Sequence, residues 1–251
     1  MIGIILAAGS GRRLKINKPK GLLNIGEKAL IEYSIKNLRR AGIDDIYVVT
    51  GFGADQYQGY FEHCESIDDT KIKLIHNPEW RACGSGYSLQ VCFRELAEKG
   101  IEDDLVILDS DILYNVDEFI DFINEENKDA ILATNVPDGR HDACYIQTDL
   151  GDNLIKISKN LNELSVKDDD VTWEYIGITK VSNKSFKHAI EHYDNCIKRL
   201  SSIDFEYDYA WQELPDTFKI VKYRDYIWSE SDDDEQLHYM ITNTFPKITL
   251  H

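Results

Sequence analysis

The chain has 251 residues, 43% of them hydrophobic and 29% charged, which is the profile of a globular chain able to bury a core and excludes a disordered one. Asp and Glu outnumber Lys and Arg by 45 to 28, for a net charge of -17, and this disfavours nucleic acid or an anionic membrane as partner. No apolar run is long enough for a membrane span or, at the start, for a signal peptide, and the five cysteines are dispersed without a Cys-x-x-Cys pair, so a cytoplasmic chain with reduced thiols is expected.

The elements follow in chain order. "IGIILAA" reads as a buried strand. "ALIEYSIKNLRRAGI" places Leu30, Ile31, Ile35 and Leu38 at helical spacing, with Gly42 as a stop. "DIYVVTG" is a second strand, "DQYQGYFEH" a helix and "KIKLIHN" a third strand. "SGYSLQVCFRELAEKG" is a helix ending at Gly100, "DDLVILDSD" a fourth strand, "VDEFIDFINEEN" a helix and "DAILATN" a fifth strand. This alternation predicts an α/β fold, a Rossmann-like and mainly parallel sheet with helices on both faces. After about residue 140 the texture changes. "DACYIQTDLGDNLIKISKN" reads as a hairpin around Gly151, and "WEYIGITKV" as a strand. "NKSFKHAIEHYDNCIKRL" is a helix, "FKIVKYRDYIW" one or two strands, and "DDEQLHYMITNTF" a terminal helix. Neither an internal repeat nor a linker interrupts the chain. Residues 1–251 are therefore expected to form one domain, with a nucleotide-binding core over 1–140 and an acceptor-binding part, a small C-terminal elaboration, over 141–251.

The opening segment "LAAGSGRRL" follows the first strand. Gly9 and Gly11 allow a tight turn that brings N–H groups against an anion, and Ala7 and Ala8 leave room for a ring or a phosphate chain. Arg13, Lys18 and Lys20 add cations. A dinucleotide loop would need a third glycine where Leu14 stands, and a P-loop would need Gly-Lys-Ser/Thr. A plain surface turn would not explain the three cations.

"LAAGSGRRL…KPKGLL" resembles the signature of the nucleotidyltransferase superfamily, whose members couple a nucleoside triphosphate to a phosphorylated small molecule and release pyrophosphate. The resemblance runs on through "LIEYSIKNLRRAGIDDIYVVTGF", "GSGYSL", "LDSDILY", "EYIGITKV" and "WSESDD". It is greatest to the cytidylyltransferases acting on phosphocholine or 2-aminoethylphosphonate, and it implies the nucleotide-diphospho-sugar transferase type of fold. It further implies that Lys20 contacts the phosphates and that Arg13 helps to hold them. The nucleotide is expected along Leu6, Ala7, Ala8, Gly9, Ser10 and Gly11, with Gly84 and Ser85 walling the base.

Asp109 and Asp111 end a predicted strand, where ligands of open α/β sheets bind. The resemblance assigns Mg2+ to Asp111 and to a second carboxylate near the C-terminus. The family pattern Trp-x-Glu-Ile-Asp meets Trp228-Ser229-Glu230-Ser231-Asp232 here, so Asp232 is chosen, although Asp233 leaves the register open by one. Asp109 is a supporting residue. For the acceptor, Lys159 is expected at its phosphoryl group and Glu174 at its other end. Tyr175, Tyr207, Tyr209 and Trp211 lie near Glu206 and Asp208, and aromatic faces with carboxylates attract organic ammonium groups.

The expected activity is transfer from CTP to 2-aminoethylphosphonate or phosphocholine. An inositol-phosphate or sugar-phosphate nucleotidyltransferase is the alternative, and Asp109-Ser110-Asp111 also fits the Asp-x-Asp of glycosyltransferases. A non-catalytic binder would need no paired metal carboxylates. The sequence leaves a homodimer open.

Overall fold

The computed structural model describes residues 1–14, 16–64, 67, 72–136, 143–165 and 172–249. Its first half follows the expected alternation: β1 (Ile2–Ala7), a short hairpin of β2 (Asn24–Ile25) and β3 (Lys28–Ala29), α1 (Leu30–Arg40), β4 (Ile46–Thr50), α2 (Ala54–His63), β5 (Ile72–His76), α3 (Ser85–Glu98), β6 (Leu105–Asp109), β7 (Ile112–Tyr114), α4 (Val116–Asn124) and β8 (Ala130–Asn135). The second half contributes β9 (Tyr145–Thr148), β10 (Leu154–Ser158), β11 (Trp173–Val181), α5 (Asn183–Leu200), β12 (Lys219–Tyr223), β13 (Trp228–Glu230), α6 (Asp234–Tyr239) and α7 (Phe245–Thr249). The expected boundary near residue 140 lies outside the described residues, as do Lys71 and Asp142 at the starts of two expected segments.

The sheet is mixed. Strands β5, β4, β1 and β6 are parallel neighbours. The next position is taken by β11, which runs antiparallel to β6 on one side and to β8 on the other. β12 then adds parallel to β8. The expected fifth strand is thus separated from the fourth by a strand from the far half of the sequence. The hairpin β9–β10 forms as expected and attaches to the first residues of β11. The "FKIVKYRDYIW" segment divides: β12 joins the large sheet, and β13 pairs with β7 in a separate ribbon.

Every residue of β1 is buried, because a central parallel strand is covered on both faces and an apolar run replaces alternation. Ile4 and Leu6 face the core packed by α3 and α5, through Leu89, Phe93, Phe186 and Tyr193. Ile5 and Ala7 face the opposite core, with Ile31, Ile35 and Leu38 of α1, Tyr57 of α2 and Phe119 and Phe122 of α4. The four apolar positions read on α1 are all fully buried. The terminal helix is interrupted by a π-turn over Met240–Thr244. Met240 and Phe245 pack there on Ile25 and Leu30, which ties the C-terminus to the β2–β3 hairpin.

Candidate active site

The carboxyl ends of β1 and β6 and the amino-terminal half of the antiparallel β11 open into a cavity of about 440 Å³. Its floor is set by the strand ends and its walls by three loops: residues 8–13 after β1, 80–85 before α3, and 206–208 after α5. The opening loop reaches it because Gly11 adopts φ +56°, a left-handed conformation that side-chain-bearing residues rarely take. The turn brings a short 3-10 helix, Arg12–Leu14, above the Lys20 stem.

Lys20 is the centre of the charged end. Its Nζ donates to Asp111 Oδ2 at 2.6 Å and also to Asp232 Oδ1. Arg13 donates to the other oxygen of Asp232. Burial alone would lower the Lys20 pKa, but the charges of Asp111 and Asp232 overcome it and hold the ammonium above the usual lysine range. The same contact works in reverse on Asp232: burial would raise its pKa, and Lys20 and Arg13 bring it below the ordinary carboxylate value. Two cations from the β1–β2 connection and one carboxylate each from the residues after β6 and after β13 therefore form one chain of ion pairs, Arg13–Asp232–Lys20–Asp111. Asp233 turns away and accepts the Gln236 N–H at 2.9 Å, capping α6. Lys18 does not line the cavity; its Nζ donates to Asn24 Oδ1 at 3.4 Å.

Asp111 and Asp232 converge on a single ammonium, so their oxygens reach a common position. Two hard carboxylates beside a polyphosphate-sized space are a donor set that fits Mg2+, which usually takes one or two carboxylates and completes its shell with phosphate oxygens and water.

Asp109 lies one layer deeper. Gly177, at φ +83°, bends β11 beside it, and a Cβ on Gly177 would stand 2.6 Å from Asp109 Oδ2. Burial, then the charges of Asp111 and Asp208, push the Asp109 carboxyl well above its usual range. Its Oδ1 accepts from Tyr207 Oη at 3.2 Å. Tyr207 Oη meets Tyr175 Oη at 2.5 Å, and Tyr175 Oη meets Thr179 Oγ1 at 2.9 Å. Each hydroxyl has one proton, so donation to Asp109 fixes the direction of the row: Thr179 to Tyr175, Tyr175 to Tyr207, Tyr207 to Asp109.

A second cluster in the lining holds Lys159, Glu206, Asp208 and Cys144. Burial would depress the Lys159 ammonium, but Glu206 and Asp208 hold it above the ordinary value. Burial raises the Asp208 carboxyl, and its Oδ2 accepts from Cys144 Sγ at 3.1 Å.

Of the residues expected from the sequence, Leu6, Ala8, Gly9, Gly11, Arg13, Lys20, Gly84, Ser85, Asp109, Asp111, Lys159, Tyr175 and Asp232 line this cavity. Ala7 and Ser10 do not: Ala7 belongs to the core under α1. Glu174 does not either, because alternation along β11 puts it on the face opposite Tyr175, fully buried. Trp211 is 1% exposed and packs on Phe218 and Tyr207, behind the cavity wall. Gly84 and Ser85 are present at the wall, but their close partners are protein groups. A Cβ on Gly84 would meet Phe205 O at 2.2 Å, and the Ser85 hydroxyl bonds Glu206 and the Tyr207 amide. The sequence reading overlooked Trp80, Cys144 and Gly177. A glycine inside an apolar strand is a signal for close approach or a bulge, and it would have found Gly177. Trp80 stands against Phe52, with ring centroids 5.5 Å apart.

The model of the MobA-like NTP transferase domain matches residues 3–167. A choline-phosphate cytidylyltransferase of Streptococcus pneumoniae is 35% identical over 106 residues, 41% of this chain and 44% of that protein. The bifunctional protein GlmU of Aquifex aeolicus is 27% identical over 188 residues, 72% of this chain and 38% of that protein. The matches thus span less than half the length of these curated relatives. Among solved structures, the CTP:phosphocholine cytidylyltransferase of Streptococcus pneumoniae superposes with a TM-score of 0.74 at 20% identity, covering 96% of this chain and 97% of that one. The inositol-1-phosphate CTP transferase of T. maritima gives the same TM-score, 0.74, at 17% identity, over 98% of this chain and 95% of that one. At those identities the superpositions speak for the fold, of the nucleotide-diphospho-sugar transferase type. The family match runs from β1 past β10 and takes in the opening loop, Lys20 and the Asp109–Asp111 strand end, and on it the chain belongs to the MobA-like NTP transferase domain family.

Proposed function

We propose that this chain is a cytidylyltransferase that joins CTP to a small phosphate or phosphonate carrying an ammonium group, with 2-aminoethylphosphonate and phosphocholine as the leading acceptors. The observation that carries the reading is the pair of charged clusters that line one cavity. Arg13, Lys20, Asp111 and Asp232 converge in its lining, and Tyr175, Glu206 and Asp208 line it with Lys159, whose charge also reaches Asp232. The relative that acts on choline phosphate supports the same base and acceptor class.

An acceptor oxygen, ionised at neutral pH, attacks the α-phosphorus of CTP. The bond to the β-phosphate oxygen breaks and pyrophosphate leaves, so no general base is required. Asp111 and Asp232 would hold Mg2+, which supplies charge neutralisation on the triphosphate. Lys20 and Arg13 exchange their carboxylate partners for phosphate oxygens and neutralise charge that builds on the leaving group. Leu6 at the end of β1 and Ala8, Gly9 and Gly11 of the following loop cradle the nucleotide, and Lys159 orients the acceptor's phosphoryl group. Glu206, Asp208 and the Tyr175 and Tyr207 rings receive its cation. Residues 1–140 supply most of the nucleotide side and 141–251 most of the acceptor side, with Asp232 crossing to the phosphates.

The fold shared with an inositol-1-phosphate CTP transferase favours one second reading, a polyol phosphate acceptor. A polyol needs directional hydrogen bonds to several hydroxyls, whereas an ammonium head needs π faces and carboxylates. An Asp-x-Asp glycosyltransferase would use Asp109 and Asp111 but leaves the Arg13 and Lys20 cluster without a role.

Pyrophosphate release from each of the four NTPs is to be measured with 2-aminoethylphosphonate, phosphocholine, inositol phosphate and a sugar 1-phosphate, with and without Mg2+. The expected result is Mg2+-dependent release with CTP and an ammonium-bearing acceptor. Inositol phosphate preferred by more than about tenfold in kcat/KM would overturn the ammonium pocket. Absence of release with every pair would overturn the transferase reading.

A further inference from the structure

The segment between α5 and the Tyr207 turn runs along the start of α3 and is stitched to it. Gly84 N–H donates to Ile203 O at 3.1 Å, and Gly86 N–H donates to Phe205 O at 2.9 Å. Tyr207 N–H donates to Ser85 Oγ at 3.0 Å, and the Ser85 hydroxyl donates to Glu206. The approach is close enough to demand the sequence Gly-Ser-Gly. A Cβ at Gly84 would lie 2.2 Å from Phe205 O, and one at Gly86 would lie 2.3 Å from the Phe205 ring.

Three consecutive residues leave this strap and enter the cavity: Glu206, Tyr207 and Asp208. Ser85 holds the first by its carboxylate and the second by its amide. The hydroxyl's only proton is committed to Glu206, so the Ser85 side chain has no donor to offer a nucleobase edge. Tyr207 in turn feeds the hydroxyl row that ends on Asp109.

We infer that the Ser85 side chain positions the Glu206–Tyr207–Asp208 cluster of the cavity, so that Ser85 is a positioning residue for the acceptor: its hydroxyl acts through Glu206 and Tyr207 and does not read the base. Assigning that cluster to the acceptor rests on the function proposed above; the clamp itself does not. Loss of the hydroxyl frees the Glu206 carboxylate and the Tyr207 amide together, while the loop after β1 and the Lys20 cluster keep their contacts. The cost is therefore paid in acceptor affinity and not in CTP affinity.

The test compares wild type, Ser85→Ala, Ser85→Thr and Gly86→Ala. Ser85→Ala should raise the acceptor KM by roughly tenfold, the scale of a lost charge-assisted hydrogen bond, with the CTP KM within about twofold. Ser85→Thr, which keeps the hydroxyl, should restore the acceptor KM. Gly86→Ala should reproduce the defect, because its methyl group displaces Phe205. Amide hydrogen exchange gives a second readout that needs no turnover: the Tyr207 amide should exchange faster in Ser85→Ala, with the interior of α3 unchanged. A CTP KM that rises while the acceptor KM stays fixed would assign Ser85 to the base and overturn the inference. So would an unchanged Tyr207 amide. If no NTP and acceptor pair releases pyrophosphate, the transferase reading fails, and the exchange result alone decides the clamp.

Discussion

Asp232 and Asp233 are chemically identical neighbours, and the backbone between them separates two kinds of work. Asp232 enters the cavity and pairs with Lys20 and Arg13. Asp233 is the N-cap of α6, accepting from Gln236 N–H at 2.9 Å. The sequence run Ser231-Asp232-Asp233-Asp234 holds no periodicity that could choose between them, and only the turn at β13 does. Asp232→Asn should cut turnover at least ~100-fold, as for a lost clamp on the phosphates, in a chain that still folds. Asp233→Asn should keep turnover, since Asn is as good a cap as Asp, whereas Asp233→Ala should cost about 1 kcal/mol of stability. Steady-state rates and urea melts on the three variants check both halves. Full activity in Asp232→Asn would remove it from the site. Lys20 is subject to the same logic: its contacts are to the two carboxylates, so Lys20→Ala should abolish most pyrophosphate release in a chain that still folds.

At the level of elements, the strands and helices of the first half were legible because each carries its own period: apolar runs for strands buried on both faces, and 3–4 spacing for α1. What the periods do not encode is which strands become neighbours. Nothing in "WEYIGITKV" says that it inserts between β6 and β8, although its apolar run and its glycine are both consequences of that place. The burial of Lys180 is another. It sits on β11 at 1% exposure, and its Nζ donates to Glu125 O at 2.8 Å and Ile123 O at 3.3 Å, at the end of α4. Burial pulls the ammonium down to about 8, against the opposing charges of Glu125 and Asp104. An unfolded lysine titrates near ~10.4. Between those values the unfolded chain holds more protons than the folded one, so this residue makes stability rise with pH. Urea unfolding of wild type and Lys180→Met at pH 7 and pH 10 should show the wild type gaining about 2 kcal/mol relative to the variant across that interval. A constant difference would show that Lys180 keeps its proton in the fold.

For the molecule as a whole, the β11 insertion decides whether the two halves are parts of one unit or separable. β6 pairs with β1 and β11, and β8 pairs with β11 and β12. Removal of everything after residue 140 would open one edge of β6 and both edges of β8, which share no ladder with each other. Such unpaired edges are exposed templates for association. The core on the α3 face would also lose Phe186, Tyr193, Trp211 and Phe218. The cavity would lose Asp232 and the Tyr207 contact to Asp109. Sequence composition marks a change of texture near residue 140, but the sheet runs through it. We therefore expect a fragment of residues 1–140 to lack a cooperative urea transition and to associate. The full chain should unfold in one step, with far-UV circular dichroism and tryptophan fluorescence coincident. The fluorescence reports on both halves, because Trp80 lies in the first and Trp173, Trp211 and Trp228 in the second. Two resolved transitions in the full chain, or a cooperative fragment, would make residues 1–140 an independent domain to which the rest is merely attached.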